Sequence, residues 1–538
     1  MHRIPTNPLF WSLAVFLFPL LIEVSYSDFV REGEYNSRIG WSFITALLVT
    51  LANRRWATAV ILLPFMVGGI ADIGYAYTFG GVFTTATLEA VAYTDSSEVA
   101  EFAGAYGSVK LFSLYGIHWL LYAGAIYFSK PVTSIGWRRT IYSLGILLIV
   151  VVSYRTSVMG RFHDTIPGVL GTIPSYYRGA VSLEHEVELR KAMLATTPVT
   201  ATIKDERSQT HIFVIGESLN RSHMGLYGYH RDTTPYLSAR QTELVTFTDA
   251  ISSHAQTQAS LRVALTAADS ENGHDYRQAL SVIDLANLAG YKTWWISNQQ
   301  PQRATIASIA HQADTAHYIS NDFNGVEVRR FDEYLLPVLN KALNDDAPHK
   351  AIFIHTMGSH AKYANRYPES YHQFTGNDVV SYRQDPSSYE VGAINEYDNS
   401  VLYSDHVAET MIQALERAEN AEVKTFTLFS DHGEEVYRSA KIKGHSPDNV
   451  TANMVEIPLI VWSSNDGQLE AALESNRHKG FMLDDLFHLT GGILGIESSV
   501  IQKDKDISSG HYLSNNQRLI YNKEYDKVIK RDYQTAND

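Results

Sequence analysis

The hydropathy of the chain changes character near residue 156, and no single globular domain absorbs both parts. Upstream, Leu, Ile, Val, Phe, Trp and Tyr dominate. Leu9 to Ile22 is a nearly unbroken apolar run after the short basic start Met1-His2-Arg3. A cleaved signal peptide begins in the same way, but no small-residue A-x-A site follows Leu9–Ser27, and further apolar runs do. They cover Ile39–Ala52, which needs tilt to span, then Trp56–Phe79, Leu111–Ser129 and Ile141–Tyr154. A bilayer asks for about 20 residues. The pattern predicts a transmembrane α-helical bundle of five helices over residues 1–156.

Basic residues orient that bundle. Arg54-Arg55 lies between the second and third runs, and Lys130, Arg138 and Arg139 lie between the fourth and fifth. The loop Gly80–Val109 carries Glu89, Asp95, Glu98 and Glu101 and no Lys or Arg. Positive loops stay inside, so the N-terminus is expected in the cytoplasm and everything after Tyr154 outside, which in a Gram-negative cell is the periplasm. Glu23 and Asp72 fall in or near the spans. They are either functional intramembrane acids or helix-end groups facing headgroups.

Residues 157–200 read as a linker broken by Pro167, Gly168, Gly171 and Pro174. Within it, Ser182–Ala195 has helical spacing and mixed charge, as an interfacial helix or a plain connecting one. Residues 201–538 read as one soluble domain. The net charge of −14, without a basic stripe, excludes a general nucleic-acid binder. The absence of cysteine excludes thiolate nucleophiles, thiolate metal sites and disulfides.

Short apolar runs in this part end in polar loops: His211–Gly216 in Glu217-Ser218, Thr293–Ile296 in Ser297-Asn298, Ala351–Ile354 in HTMGSH, Thr425–Phe429 in SDHGE, and Ile457–Trp462 in Ser463-Ser464. Leu244–Phe247 leads to Ser252-Ser253-His254. Helical patterns fall at Gln258–Ala268, Leu280–Ala289, Asp332–Leu343 and Tyr389–Asn420. Continuous apolar strands alternating with helices predict an α/β domain with a mostly parallel sheet covered on both faces. Ligands of such sheets bind outside the carboxyl ends of the strands. Glu217, Asn298, His355, His360, Asp431 and His432 all follow such ends, so scattered positions converge on one edge.

Acids and histidines without cysteine suit a catalytic zinc with an exchangeable position. Taken alone, Asp431-His432-Gly433 is also a turn with a capping Asp. A metal-bound hydroxyl makes a nucleophile at neutral pH. Thr257 and Ser260 are the candidates, where a loop hands over to a helix in SSHAQTQASLRVAL. Spacing leaves Thr257 equally readable as a helix N-cap.

At these residues the sequence resembles the phosphoethanolamine transferases of Gram-negative envelopes, inner-membrane members of the alkaline phosphatase and sulfatase superfamily. The matching phrases are VIGESLNRSHMGLYGYHRDTTPYL (214–237), SSHAQTQASL (252–261), HTMGSHAKYANRYP (355–368), INEYDNSVLYSD (394–405) and FSDHGEEVY (429–437), with LEAVAYTDSSEVAEF (88–102) in the outer loop. The resemblance implies that Glu217, Thr257, Asp431 and His432 hold one Zn2+, with Thr257 as nucleophile. It implies a phosphatidylethanolamine donor, a phosphoethanolamine-Thr257 intermediate, and an envelope acceptor: lipopolysaccharide core, lipid A or periplasmic glucan. His360 and His445 would bind the phosphoryl group or a second zinc, with His355, Asn298 and Glu434 as neighbours. Glu89 and Glu98 would meet the ethanolamine ammonium. Many members that modify lipid A carry disulfides, which this chain cannot form, and the RSHMGLYGY wording is closer to members acting on lipopolysaccharide core or periplasmic glucans. A phosphoglycerol transferase of the same superfamily and a non-catalytic envelope scaffold are the rival readings. A formylglycine sulfatase is not among them, because no C/S-x-P-x-R motif is present.

Overall fold

The computed structural model describes residues 7–26, 32–52, 54–81, 107–129, 183–196, 199–269, 274–299, 305–319, 330–447, 449–464, 467–514, 517–521 and 523–529, with a few isolated residues besides. The chain forms two compact units, Met1–Ala180 and Val181–Asp538.

The first unit contains α1 (Pro8–Tyr26), α2 (Glu32–Ala52), α3 (Arg55–Phe79) and α4 (Val109–Phe128). Among the described residues, α1, α3 and α4 are long and apolar enough to cross a membrane. The second predicted run becomes a longer helix whose first turns carry Glu32, Glu34 and Arg38. The predicted fifth span, Ile141–Tyr154, lies outside the described residues, as do Glu89 and Glu98. Three of the five predicted spans thus correspond to described helices of that length and apolarity. Val15, Phe16, Leu62, Met66, Tyr122 and Ala125 form their shared core. Helix α3 approaches α4 closely at Gly69, where a Cβ would stand 2.5 Å from His118 Nε2. Glu23 is buried, and Arg38 donates to both its oxygens at 2.6 and 2.9 Å. A charge pair matched in this bidentate way is the form in which ionised groups tolerate such burial. Asp72 is buried within α3.

The second unit begins with α5 (Leu183–Thr196), the helix predicted over Ser182–Ala195. It is seated on this unit: Arg190, fully buried, donates to the carbonyls of Tyr276 and Ala279 and to Ser308 Oγ at 3.0, 3.1 and 3.1 Å. The unit is built on a seven-stranded sheet of β1 (Gln209–Gly216), β2 (Leu244–Thr246), β3 (Lys292–Ser297), β4 (Thr315–Tyr318), β5 (His349–His355), β6 (Val423–Ser430) and β7 (Leu459–Ser463). Their order across the sheet is β2–β7–β6–β1–β5–β3–β4.

Strand β1 is buried along its whole length because helices cover both faces. Its alternate residues enter opposite cores, Phe213 and Ile215 one, Ile212 and Val214 the other. All pairings among β6, β1, β5, β3 and β4 are parallel. Strand β7 runs antiparallel to both neighbours, so Leu459 lies opposite Phe429 and the Ser463 end points to the other edge. The mostly parallel α/β sheet is as predicted, with this one reversal.

Register decides what meets at the carboxyl edge. Gly216 is paired with Ser430, Ile215 with His355, and His355 with Ser297. The residues that follow (Glu217, Asp431, Thr356 and Asn298) leave the sheet side by side. Helix α6 (Thr257–Ala264) and the long α7 (Ser388–Arg417) flank them. A capping box of Ser387 and Glu390 starts α7.

Candidate active site

Strand β1 ends in a sharp turn. Ser218 adopts φ +56°, a left-handed conformation that a residue with a Cβ enters only at a cost of roughly 1 kcal/mol or more. Two partners hold it there. Its N–H donates to Asp431 Oδ1 at 3.0 Å, and its carbonyl accepts from Tyr397 of α7 at 2.7 Å, while Tyr397 Oη also accepts from the Asn220 N–H at 2.9 Å. The turn presents the fully buried Glu217 at the sheet edge.

Glu217, Asp431 and His432 are brought together, with their ligand-capable atoms within 4.8 Å of one another. His432 Nε2 lies 3.5 Å from Glu217 Oε1 and 3.3 Å from Asp431 Oδ2. His432 Nδ1 meets the Gly433 carbonyl at 2.7 Å. A carbonyl can only accept, so Nδ1 carries a proton and Nε2 is the nitrogen turned toward the acids. Asp431 Oδ1 accepts from the N–H groups of Ser218 and His432, whereas its buried Oδ2 has no hydrogen-bond partner among the described residues. Two carboxylates and an imidazole nitrogen thus face one point, where Asp431 Oδ2 lacks a hydrogen bond to any described residue. A divalent cation of the zinc type would partner that oxygen, and the donor set fits it.

Thr257 occupies the fourth side. Its Oγ1 lies 3.2 and 3.4 Å from the two Glu217 oxygens and 3.4 Å from His432 Nε2. The N-cap of α6 is Gln256, and Thr257 turns its hydroxyl to the acids instead of capping the helix. Ser260, the other sequence candidate, is buried and donates to the Asp431 carbonyl at 2.6 Å, which pins α6 to the end of β6.

A second group adjoins the first. The His445 ring lies 4.2 Å from that of His432, and its Nδ1 meets Glu434 Oε2 at 2.7 Å. Burial pushes the His445 pKa down, but the Glu434 carboxylate outweighs it and the net shift is upward. The other Glu434 oxygen accepts from Tyr363 at 2.7 Å. His432, Glu434 and His445 also lie within metal-ligand distance of one another, though Glu434 and His445 already satisfy each other. His360 is held from behind by Arg366, which donates to its carbonyl at 3.0 Å, and burial pushes its pKa down to about 4. The charges of Glu217, His445 and His432 all reach it.

His355 and Asn298 stand further back. His355 is buried edge-on to Trp295, its Nε2 has no partner among the described residues, and burial lowers its pKa to about 4. Asn298 donates to Asp332 Oδ1 at 2.8 Å and to the Arg330 carbonyl at 2.9 Å. Asp332 in turn accepts from the N–H groups of Met357 and Gly358. Gly358 has φ +48° and packs so closely behind Glu217 that a Cβ would lie 2.7 Å from the Glu217 carbonyl. Asn298 thus fixes the loop that backs Glu217 and does not touch Thr257.

The sequence reading missed Gln299. Its Nε2 donates to Glu217 Oε2 at 2.9 Å and to the Thr356 carbonyl at 3.1 Å. Its place one residue beyond Asn298, at the same strand end, was the available signal. Tyr363 and Tyr397 were missed because a buried tyrosine on a helix or turn carries no sign of what its hydroxyl meets.

Comparison with known proteins places this geometry. Over 541 aligned residues the chain is 29% identical to phosphoethanolamine transferase EptC of Escherichia coli K12, covering 92% of each protein. It is 28% identical to phosphoethanolamine transferase CptA of Salmonella typhimurium, covering 85% of this chain and 83% of that one. The crystal structure of the C-terminal periplasmic domain of the E. coli EptC, in complex with Zn, superposes on 64% of this chain and 99% of its own with a TM-score of 0.58 and 31% identity. The integral membrane lipooligosaccharide phosphoethanolamine transferase A of Neisseria meningitidis shares the fold over 94% of this chain and 98% of its own, with a TM-score of 0.65 and 19% identity. The sulfatase family profile matches residues 209–496, which is more than half of the 538 and contains every residue of the site just described. The chain belongs to the sulfatase family.

Proposed function

We propose that the chain is a membrane-anchored, zinc-dependent phosphoethanolamine transferase that works through Thr257. One arrangement carries the reading: the Thr257 hydroxyl faces Glu217 and His432 at 3.2 and 3.4 Å, beside an Asp431 oxygen that has no hydrogen-bond partner among the described residues. Relatives aligned over nearly the whole chain are phosphoethanolamine transferases, and one has a zinc-bound periplasmic domain.

Glu217, Asp431, His432 and Thr257 would hold the ion. Bound there, zinc supplies positive charge that lowers the pKa of a ligating hydroxyl and offsets charge on a phosphoryl oxygen. Thr257 Oγ1 forms a bond to the phosphorus of phosphatidylethanolamine as the bond from phosphorus to the glycerol oxygen breaks. Diacylglycerol leaves with the proton that Thr257 gives up. The phosphoethanolamine ester of Thr257 then passes to an acceptor hydroxyl or phosphate, whose proton restores the threonine. His445, with Nδ1 committed to Glu434, offers its other nitrogen to the phosphoryl oxygens, and His360 approaches from the opposite loop.

The acceptor class is an envelope glycolipid or glucan. Helices α1, α3 and α4 would anchor the enzyme in the inner membrane with the catalytic domain in the periplasm. Anchoring keeps the site beside its lipid donor and raises the effective concentration. The test is Thr257→Ala in the full-length chain, with conversion of phosphatidylethanolamine to diacylglycerol as the readout. Loss of turnover with the melting temperature of the metal-free protein retained is expected, and undiminished turnover sinks the mechanism.

A further inference from the structure

We infer that Tyr363 is a positioning residue for this transfer, acting through Glu434 on His445; the inference rests on the proposed role of His445. The three side chains form one chain of hydrogen bonds. Tyr363 Oη donates to Glu434 Oε1 at 2.7 Å, and Glu434 Oε2 meets His445 Nδ1 at 2.7 Å. Each carboxylate oxygen is therefore held from its own side, which fixes the plane of the carboxylate and, through it, the rotation of the imidazole. His445 Nε2 makes no hydrogen bond to a described residue and is the nitrogen left for an anionic substrate.

The phenol is held by its ring. Tyr363 is fully buried, edge-to-face with Tyr397 at 5.0 Å and 78°. The Lys443 ammonium lies over its face at 5.6 Å, on the short strand Lys443–Gly444 that leads into His445. Tyr397 is the residue that holds the Ser218 turn beside Glu217. One pair of rings thus joins the end of β1, which carries Glu217, to the hairpin that carries His445. The preceding residue, Lys362, takes φ +62°, a left-handed turn that brings Tyr363 under the site from the β5 loop.

Phenylalanine at this position keeps the contacts with Tyr397 and Lys443 and removes only the hydroxyl. Glu434 then loses its fixed plane, and His445 loses its fixed rotation. Transfer to phosphorus needs in-line geometry, and misplacement of about 1 Å can lower a rate by about 100-fold. Tyr363 does not meet the substrate, because its O–H is committed to Glu434.

The test compares wild type, Tyr363→Phe and His445→Gln as full-length chains in detergent micelles. The substrate is phosphatidylethanolamine with a labelled acyl chain, and diacylglycerol release gives kcat and KM. Zinc content and melting temperature are measured alongside, together with nuclear magnetic resonance of 15N-histidine-labelled protein. The His445 Nδ1 proton is assigned by its absence from the His445→Gln spectrum. For Tyr363→Phe, kcat is expected to fall about 10-fold with KM within about 2-fold, zinc content and melting temperature unchanged, and the His445 Nδ1 proton signal shifted or broadened. An unmoved signal, an undiminished kcat, or a loss that tracks falling zinc content or melting temperature overturns the inference. Full turnover by His445→Gln overturns instead the role of His445 in transfer, while the spectrum still reports whether Tyr363 holds it.

Discussion

His432 donates its Nδ1 proton to the carbonyl of its own neighbour, Gly433, at 2.7 Å. That single bond aims Nε2 at Glu217 and Asp431, and it brings two adjacent strand ends together as the proposed ligand set. Zinc is therefore expected to bind and stabilise the catalytic domain. Chelation should lower the melting temperature and added zinc should restore it. A ligand at about 100 times its Kd stabilises by about 2.7 kcal/mol. In Glu217→Ala the zinc-dependent rise should vanish, and a rise of wild-type size would remove Glu217 from the ligand set.

Gln299 orients one of the proposed ligands. Its amide donates to Glu217 Oε2 at 2.9 Å. Groups that orient a metal ligand in this way are worth about 10- to 100-fold in affinity. Gln299→Ala should weaken zinc binding by that factor in a competition titration with a zinc-chelating dye, and Gln299→Glu should weaken it more, since a carboxylate would then face a carboxylate. Unchanged affinity in both variants would assign Gln299 to packing alone.

Tyr397 holds the strained turn after β1. Tyr397→Phe keeps the ring and leaves the buried Ser218 carbonyl and Asn220 N–H without the hydroxyl they share. A loss of about 1–3 kcal/mol is expected in urea unfolding, the usual result of leaving buried backbone groups unsatisfied.

One acid outside the candidate site should make stability depend on pH. Burial pushes the Asp506 pKa up to about 7 from 3.8, and Ser508 N–H and Oγ both donate to its Oδ1. The folded state therefore favours the protonated form. Its contribution is complete below the unfolded value near 3.8 and is lost as pH rises through about 7. Asp506→Asn preserves Oδ1 and stays neutral. It should flatten the fall in melting temperature between those limits and be the more stable protein at pH 8; an identical pH profile in both proteins would contradict the assignment.

The parts of this molecule written locally were legible in the sequence. Strand β1 reads as a buried parallel strand because HIFVIG is apolar on both faces, and Glu217 follows from its end. Asp431 and His432 follow from the end of β6 in the same way. The reversal of β7 was not legible, because an apolar strand reads alike in either direction and pairing decides. Helix α2 extended beyond its apolar run because Arg38 finds Glu23, a partner in another helix. Thr257 could not be separated from a helix cap by spacing; in the fold Gln256 takes the cap position and the Thr257 hydroxyl faces Glu217 and His432. Gln299, Tyr363 and Tyr397 act through single hydroxyl or amide contacts between distant segments, and such contacts leave no periodic trace.

The central claim is that Thr257 carries the phosphoethanolamine group between donor and acceptor. Full-length protein with zinc, mixed with phosphatidylethanolamine in the absence of acceptor, quenched in acid and digested, should yield the peptide containing Thr257 with the mass of one added phosphoethanolamine. The same peptide from Thr257→Ala should be unmodified. Wild-type protein that releases diacylglycerol while this peptide stays unmodified throughout, or an adduct on any other residue, would contradict the account.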